Sequence, residues 1–382
     1  MILRKIEYHE FDDTPNYWAL KPFELGKINL LVGKNATGKT NTIIKIGWLG
    51  NMLAGLQPQL LNSANYNVEF FDSATTTYQY KLNLLQQKVQ YEELSIDGKQ
   101  KFKRGSDGSG EILSAQFGKD MNFKLSPNRL VVTSKRDAIQ HPFLEGLARW
   151  AEGQRVYEFS SKLGQDTILV TDDMNNIVVD PRDMNSVIGL FVKGKQEFDQ
   201  DFRNEIINSM KRIGYELSDI DVTPNLGLVP SIPRVSNGLV LYVGEENSKT
   251  SILQPQMSQG MFRALSLIIQ ITYNTLKKLS TTILIDDIGE GLDFDRSSRL
   301  IKLLIDTVEK NDNIQLIMST NDRFVMNNVP LEYWQVIQRE GGECQVSNYQ
   351  NSKEKFDEFE YTGLNNFDFL RTDFLNSDWK PV

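Results

Sequence analysis

The sequence predicts an α/β protein: a central, mostly parallel sheet with flanking helices, an antiparallel β subdomain and an inserted helical lobe. Three observations carry this reading. A glycine-rich loop, Gly33-Lys34-Asn35-Ala36-Thr37-Gly38-Lys39-Thr40, lies between an apolar strand and an amphipathic helix. Strand-like and helix-like segments alternate from Gly238 to about Gln338, which implies parallel strands joined by helices. Between these regions, short alternating runs read as a meander, and a segment with helical periodicity follows them.

The elements can be justified in order. Met1 to Tyr8 reads as a first strand and not as a signal peptide. Ile28-Asn29-Leu30-Leu31-Val32 is a buried strand, and Asn41 to Leu53 is a helix with Ile43, Ile44, Ile46, Trp48, Leu49 and Leu53 on its apolar face. Val68 to Phe71, Thr77 to Leu84 and Val89 to Ile96 read as antiparallel strands, with Asp97-Gly98 as a turn. Arg129 to Thr133 reads as another short strand. From Ala138 to Arg212 the spacing is mostly helical: Phe143, Leu144, Leu147, Ala148 and Ala151 share one face, and Phe198, Phe202, Ile206, Ile207 and Met210 share another. Asp221 to Asn237, with Pro224, Pro230 and Pro233, reads as a connector. Leu239 to Val243 is the next strand, and a long helix runs from near Gln259 to about Leu279. Thr282-Ile283-Leu284-Ile285-Asp286 is a buried parallel strand ending in acid. Ser297 to Lys310 is an amphipathic helix, and Ile314 to Thr320 is a further strand.

This organisation divides the chain into an N-terminal lobe at 1–137, a mostly helical insert at 138–237, a C-terminal lobe at 238–340 and a tail at 341–382. The tail is rich in aromatics: Phe356, Phe359, Tyr361, Phe367, Phe369 and Phe374. Packing onto the body of the protein is their expected role, with a docking surface for a partner protein as the alternative.

Composition narrows the function classes. No apolar run reaches the length of a membrane span. One cysteine, Cys344, excludes a disulfide framework and a cysteine zinc cluster within the chain, and fits a reducing cytoplasm. His9 and His141 are too few for a histidine-rich metal site. The net charge of −8 counts against a general coating for nucleic acid. Lys101, Lys103 and Arg104 form one short basic candidate, which also reads as a solvated hairpin edge guarded by lysines.

The glycine-rich loop carries the chemistry. Gly33 and Gly38 let the backbone bend tightly, so that Lys34, Asn35, Ala36, Thr37 and Asn41 surround a ring of N–H groups aimed at phosphate oxygens. The helix start adds a dipole favourable to anions. Lys39 brings a point charge toward the β- and γ-phosphates of ATP, and the Thr40 hydroxyl is a ligand for Mg²⁺. Asp286, closing an apolar strand, is a second Mg²⁺ ligand, direct or through water. Asp287 is the candidate for polarising the attacking water, with Glu290 as the alternative. Ser258 is a natural N-cap, and Gly260 allows close backbone approach, so the helix start at Met257-Ser258-Gln259-Gly260 reads as a second anion site or simply as the start of a capped core helix.

The order of these pieces resembles the ABC-type ATPase head, the class of SMC, RecF and OLD-like proteins. The resemblance rests on the phosphate loop, a long insert, the Ser-x-Gly helix start, the acidic strand end and Gly291-Leu292-Asp293. It implies that Ser258 and Gly260 form the signature segment and contact the γ-phosphate held by an opposite subunit. It implies that Asp293 is the D-loop aspartate at the same interface, and that Asn321 stands where the family has its switch histidine. The expected assembly is a homodimer or higher homo-oligomer closed around ATP. Met257, Gln259 and Asp287 depart from the family pattern, and no Q-loop glutamine is evident; Ser134 to Gln140 is the region to search.

The compact layout is similar to ATP-binding proteins of bacterial anti-phage defence, of the PARIS or Septu-like kind. That implies a separately encoded effector protein as partner. A RecF-like repair ATPase that binds DNA, and an ATP-binding scaffold without turnover, are the alternatives.

Overall fold

The computed structural model describes residues 1–72, 75–171, 173, 177–224, 238–246, 248 and 250–376. Its backbone is one 14-stranded sheet and a smaller second sheet. Five strands of the large sheet run parallel: Gln154–Glu158, Thr281–Asp286, Ile314–Ser319, Ile28–Val32 and Trp334–Glu340, in that spatial order. Glu343–Asn348 folds back on Trp334–Glu340 as a hairpin and lies parallel to Trp18–Glu24. An antiparallel meander then extends the sheet through Ile2–Glu10, Ser63–Asp72, Thr76–Leu85, Lys88–Ile96, Lys99–Gly105, Ser109–Ser114 and Lys119–Lys124.

The two halves differ for a physical reason. Parallel strands are covered on both faces and so are mostly apolar. Ile314–Ser319 is buried at every position. Successive residues serve opposite cores: Ile283, Ile285, Leu316 and Met318 belong to one, Leu284 and Ile317 to the other. Helices Gln259–Leu276 and Phe294–Glu309 cover the first face with Phe262, Leu265, Leu300 and Leu304. Helix Lys39–Leu53 covers the second with Ile43, Ile46 and Leu49. The meander instead alternates buried and exposed residues, because one of its faces meets water. Lys45, inside the phosphate-loop helix, ties that helix to the antiparallel lobe. Its Nζ lies 2.8 Å from Glu10 and 4.2 Å from the centre of the Trp48 ring.

Several expectations are corrected. Arg129 to Thr133 does not form a strand; Val131–Ser134 is a helical turn. Its first amide, Val131 N–H, is captured by the Glu92 carboxylate, so a tertiary contact overrides β propensity. The insert holds strands as well as helices. Beside the helices Leu144–Glu152 and Val187–Arg212 it contributes Gln154–Glu158, the edge strand of the large sheet, paired with Thr281–Asp286. Leu239 to Val243 is a strand, Gly238–Glu245, but it pairs antiparallel with Leu217–Pro224 in the second sheet. Alternating apolar residues mark a strand without naming its partner. The boundary at 340 cuts the hairpin of Trp334–Glu340 and Glu343–Asn348. Of the connector, residues 221–224 close a strand, and 225–237 lie outside the described residues. In the tail, Phe356, Phe359, Phe369 and Phe374 lie in the core with Trp334, Phe367 packs against it, and Tyr361 is 88% exposed.

Arg104 leaves the basic patch. It is buried inside the antiparallel lobe, where Nε lies 2.8 Å from Glu92 Oε2. Glu92 also accepts from the Tyr80 hydroxyl at 3.0 Å. Burial pushes the Glu92 carboxyl up, and the Arg104 guanidinium opposes that rise. Arg104 in turn donates to the carbonyls of Ser126 and Arg129. The pair therefore holds the chain after the meander against the sheet. Glu92→Ala leaves a guanidinium buried without its carboxylate, a loss of about 3–5 kcal/mol. Urea unfolding of this variant is expected to show a lower midpoint, with ATP binding by the folded fraction unchanged.

Candidate nucleotide site

The parallel strands end together at Val32, Asp286 and Ser319, where sheets of this kind place their ligands. From Val32 the chain enters the loop through Gly33, at φ +155°, and leaves it through Gly38, at φ +109°. A Cβ at Gly33 would stand 2.4 Å from the Ile337 carbonyl, and one at Gly38 would stand 2.8 Å from Cys344 Sγ. Both positions therefore demand glycine. Cys344 Sγ also contacts the Thr37 carbonyl at 3.1 Å, so the lone cysteine forms part of the loop's floor. Lys34, Asn35 and Ala36 are exposed at the loop's crest, as is Asn41 in the first helical turn.

The helix Lys39–Leu53 starts with no side-chain cap and no acid in its first turn. Its free N–H groups and positive dipole end face the loop mouth. The helices beginning after Ser258, Asp293 and Asp322 are each capped by those side chains. Lys39 Nζ donates to the carbonyls of Gly33 at 2.9 Å and Lys34 at 3.0 Å. Burial pulls the Lys39 amine below its usual range, while Asp287 and Asp286 oppose that shift.

Asp286 is the meeting point. Its Oδ1 accepts from the Thr40 hydroxyl at 3.0 Å and from the Ser319 hydroxyl at 2.5 Å. Ser319 Oγ accepts in turn from Asp287 N–H at 3.0 Å. Asp287 adopts φ +53°, a strained setting for a residue with a side chain. Asn321 Nδ2 donates to Asp287 Oδ1 at 3.2 Å. Burial, then Asp286 and Glu290, raise the Asp287 carboxyl, while Lys39 and the Asn321 hydrogen bond restrain the rise.

These residues fit a magnesium–triphosphate group. Among the described residues no cluster of three or more His, Cys, Asp or Glu could hold a metal. One carboxylate, Asp286, and one hydroxyl, Thr40, suit an ion that keeps several waters and takes its other oxygens from substrate phosphates.

A second group lies on an adjoining rim. Ser258 is exposed and accepts from Met261 N–H at 3.3 Å. A Cβ at Gly260 would fall 2.3 Å from the Gly291 carbonyl, so helix Gln259–Leu276 sits directly on that loop. Asp293 is exposed, caps the next helix through Arg296 N–H and pairs with the Arg296 guanidinium at 2.6 Å. Glu290 is exposed, and its N–H donates to the Asp287 carbonyl at 3.2 Å. The structure thus links Lys39, Thr40, Asp286, Asp287 and Asn321 as one constellation. Ser258, Gly260, Glu290 and Asp293 form the neighbouring one.

Sequence reasoning missed Ser319, although a hydroxyl ending a buried strand beside an acidic strand end was an available signal. Nor did it identify the strand that lies beside Thr281–Asp286; Ser134 to Gln140 was the region to search for a Q-loop glutamine. Gln140 meets the antiparallel lobe, where its carbonyl accepts from Ala115 N–H. The strand beside Thr281–Asp286 ends instead at Glu158, which pairs with Asp286.

No family model matches the sequence, and no curated protein matches it. Solved structures do resemble the fold. An Smc head bound to the C-winged helix domain of ScpA aligns at TM-score 0.55 and 12% identity, over 91% of this chain and 97% of its own. The Smc head with an extended coiled coil, bound to the C-terminal domain of ScpA and derived from Pyrococcus furiosus, aligns at TM-score 0.51 and 12% identity. That match covers 94% of this chain and 99% of its own. Identity this low speaks for architecture alone. The chain has the fold of these Smc head domains.

Proposed function

We propose that this chain is an ABC-like ATPase that binds ATP with Mg²⁺, closes head to head with a second copy and couples hydrolysis to control of a partner protein. One observation carries the proposal. Thr40 and Asp286, far apart in sequence, meet at 3.0 Å beside Lys39 and an uncapped helix start.

The residues divide the work as follows. Loop N–H groups and the helix start gather phosphate oxygens. The Lys39 ammonium has three donors, of which two hold loop carbonyls; the third is free to turn toward phosphate. Mg²⁺ bound between Thr40 and Asp286 would neutralise charge on the β- and γ-oxygens. Ser319 fixes the Asp286 carboxylate. Asn321 holds one Asp287 oxygen and leaves the other to orient water. Ser258 and Asp293, on the exposed rim, serve the nucleotide of the second copy. Losing the γ-phosphate removes the link between copies, an ordered-to-released switch.

The Smc head in one similar structure carries a domain of ScpA, which supports a protein partner for a head of this shape. We take that partner to be a separately encoded effector, and the setting to be anti-phage defence, from the sequence resemblance. ATP turnover stimulated by duplex DNA would point to the RecF-like reading instead.

Three outcomes are expected. Lys39→Ala lowers steady-state phosphate release by at least about 10²-fold, because a preorganised charge on the developing anion is lost; wild-type turnover would place the site elsewhere. Asp287→Asn binds ATP yet slows hydrolysis by about 10²–10⁴-fold and accumulates as a dimer in ATP, seen by light scattering. Unchanged turnover would shift the role to Glu290. Ser319→Ala frees the Asp286 carboxylate and raises the Mg²⁺ needed for half-maximal turnover by about 10–100-fold, the usual cost of a lost supporting contact. An unaltered Mg²⁺ titration would remove Ser319 from the site.

A further inference from the structure

Arg263 lies in the second turn of the signature helix and is 5% exposed. Its guanidinium spends all three nitrogens on backbone carbonyls. Nε donates to Ser161 at 3.0 Å, Nη1 to Glu290 at 3.1 Å and Nη2 to Ser160 at 3.2 Å. A charge this deep must be fully hydrogen-bonded, and these carbonyls belong to two separate loops. Ser160 and Ser161 follow Glu158, the strand end level with Asp286. Glu290 lies between Asp287 and Asp293.

Neighbouring contacts bind the same pieces. Gly260 is seated on the Gly291 carbonyl. Gln165 Nε2 donates to the Met257 carbonyl at 2.7 Å, and Gln254 Nε2 donates to the carbonyls of Gly164 at 3.0 Å and Gln165 at 2.9 Å. The loop after Glu158, the start of the signature helix and the turn at Glu290 and Gly291 are therefore held together. Arg263 is the side chain that reaches both loops from the helix. Its planar fork suits carbonyls in several directions, whereas a lysine ammonium is a compact point charge on a flexible stem.

We propose that Arg263 is a positioning residue that sets the Ser258 end of this helix and the Gly291–Asp293 turn, the face offered to a second copy of the chain. It acts on the partner's nucleotide and not on its own phosphate loop, whose Lys39 and Thr40 make their contacts elsewhere. This inference rests on the two-copy ATPase proposed above.

Mixed assemblies test it. Arg263→Lys and Arg263→Met are each compared with wild type for thermal unfolding by circular dichroism, MgATP binding by calorimetry, and phosphate release. Both are expected to bind MgATP with wild-type affinity, and turnover is expected to fall about 100-fold, as for a misplacement remote from the chemistry. Either variant is then mixed with Lys39→Ala. One site of the mixed pair combines an intact phosphate loop from the Arg263 variant with an intact rim from the Lys39→Ala chain. Turnover is expected to return in the mixture although each parent is nearly inactive. A mixture as inactive as its parents, or wild-type turnover by Arg263→Lys alone, overturns the proposal. If Arg263→Met does not fold, Arg263→Lys, which keeps the charge, decides it. Wild-type protein that binds MgATP but neither dimerises nor turns it over would overturn the parent reading, and this inference with it. An active wild type with no recovery in the mixture would overturn this inference alone.

Discussion

The site depends on the register of three parallel strands. Ile285 pairs with Met318 and Met318 with Leu30, so the strand ends come level and Asp286, Ser319 and the phosphate loop share one edge. A slip of one residue would turn Asp286 to the opposite face of the sheet. The strands cannot slip cheaply, because alternate residues are committed to two separate cores. Apolar packing thus holds the two hydroxyl contacts to Asp286 in place.

Around that edge, polar chemistry is kept in short reach of buried supports. Lys39 is drawn partly out of water and balanced by Asp286 and Asp287. Asp287 is forced to a left-handed backbone setting and restrained by Asn321 and Ser319. Such strain persists where the surroundings overdetermine it, and it suits a group whose carboxylate must point one way. The exposed rim of Ser258, Glu290 and Asp293 is anchored in the same manner, by Gly260 pressed on Gly291 and by the Arg263 fork.

Local features proved readable to different degrees. The phosphate loop, its flanking strand and helix, and the acidic strand end were legible because each is a contiguous run whose residue types have one reason to occur together. Ser258 was placed at a helix start and caps it, whereas the caps made by Asp293 and Asp322 were not read from the sequence. Partners across long separations were not legible. Arg104 looked like a surface cation but answers Glu92 inside the lobe. Val131 looked like a strand residue until the same carboxylate took its amide. Gln154–Glu158 sat in a segment dominated by helical spacing, and five residues are too few for periodicity to declare an edge strand.

By itself, the sequence determined the phosphate loop, the apolar strands and the helices with one greasy side, since these follow from local backbone sterics and the two periods of side-chain direction. Only the tertiary structure decided which strands neighbour one another, that Ser319 clasps Asp286, and that Arg263 joins two loops. Those contacts link residues brought together by burial, and the free energy that selects them belongs to whole packed faces and not to any short window of chain.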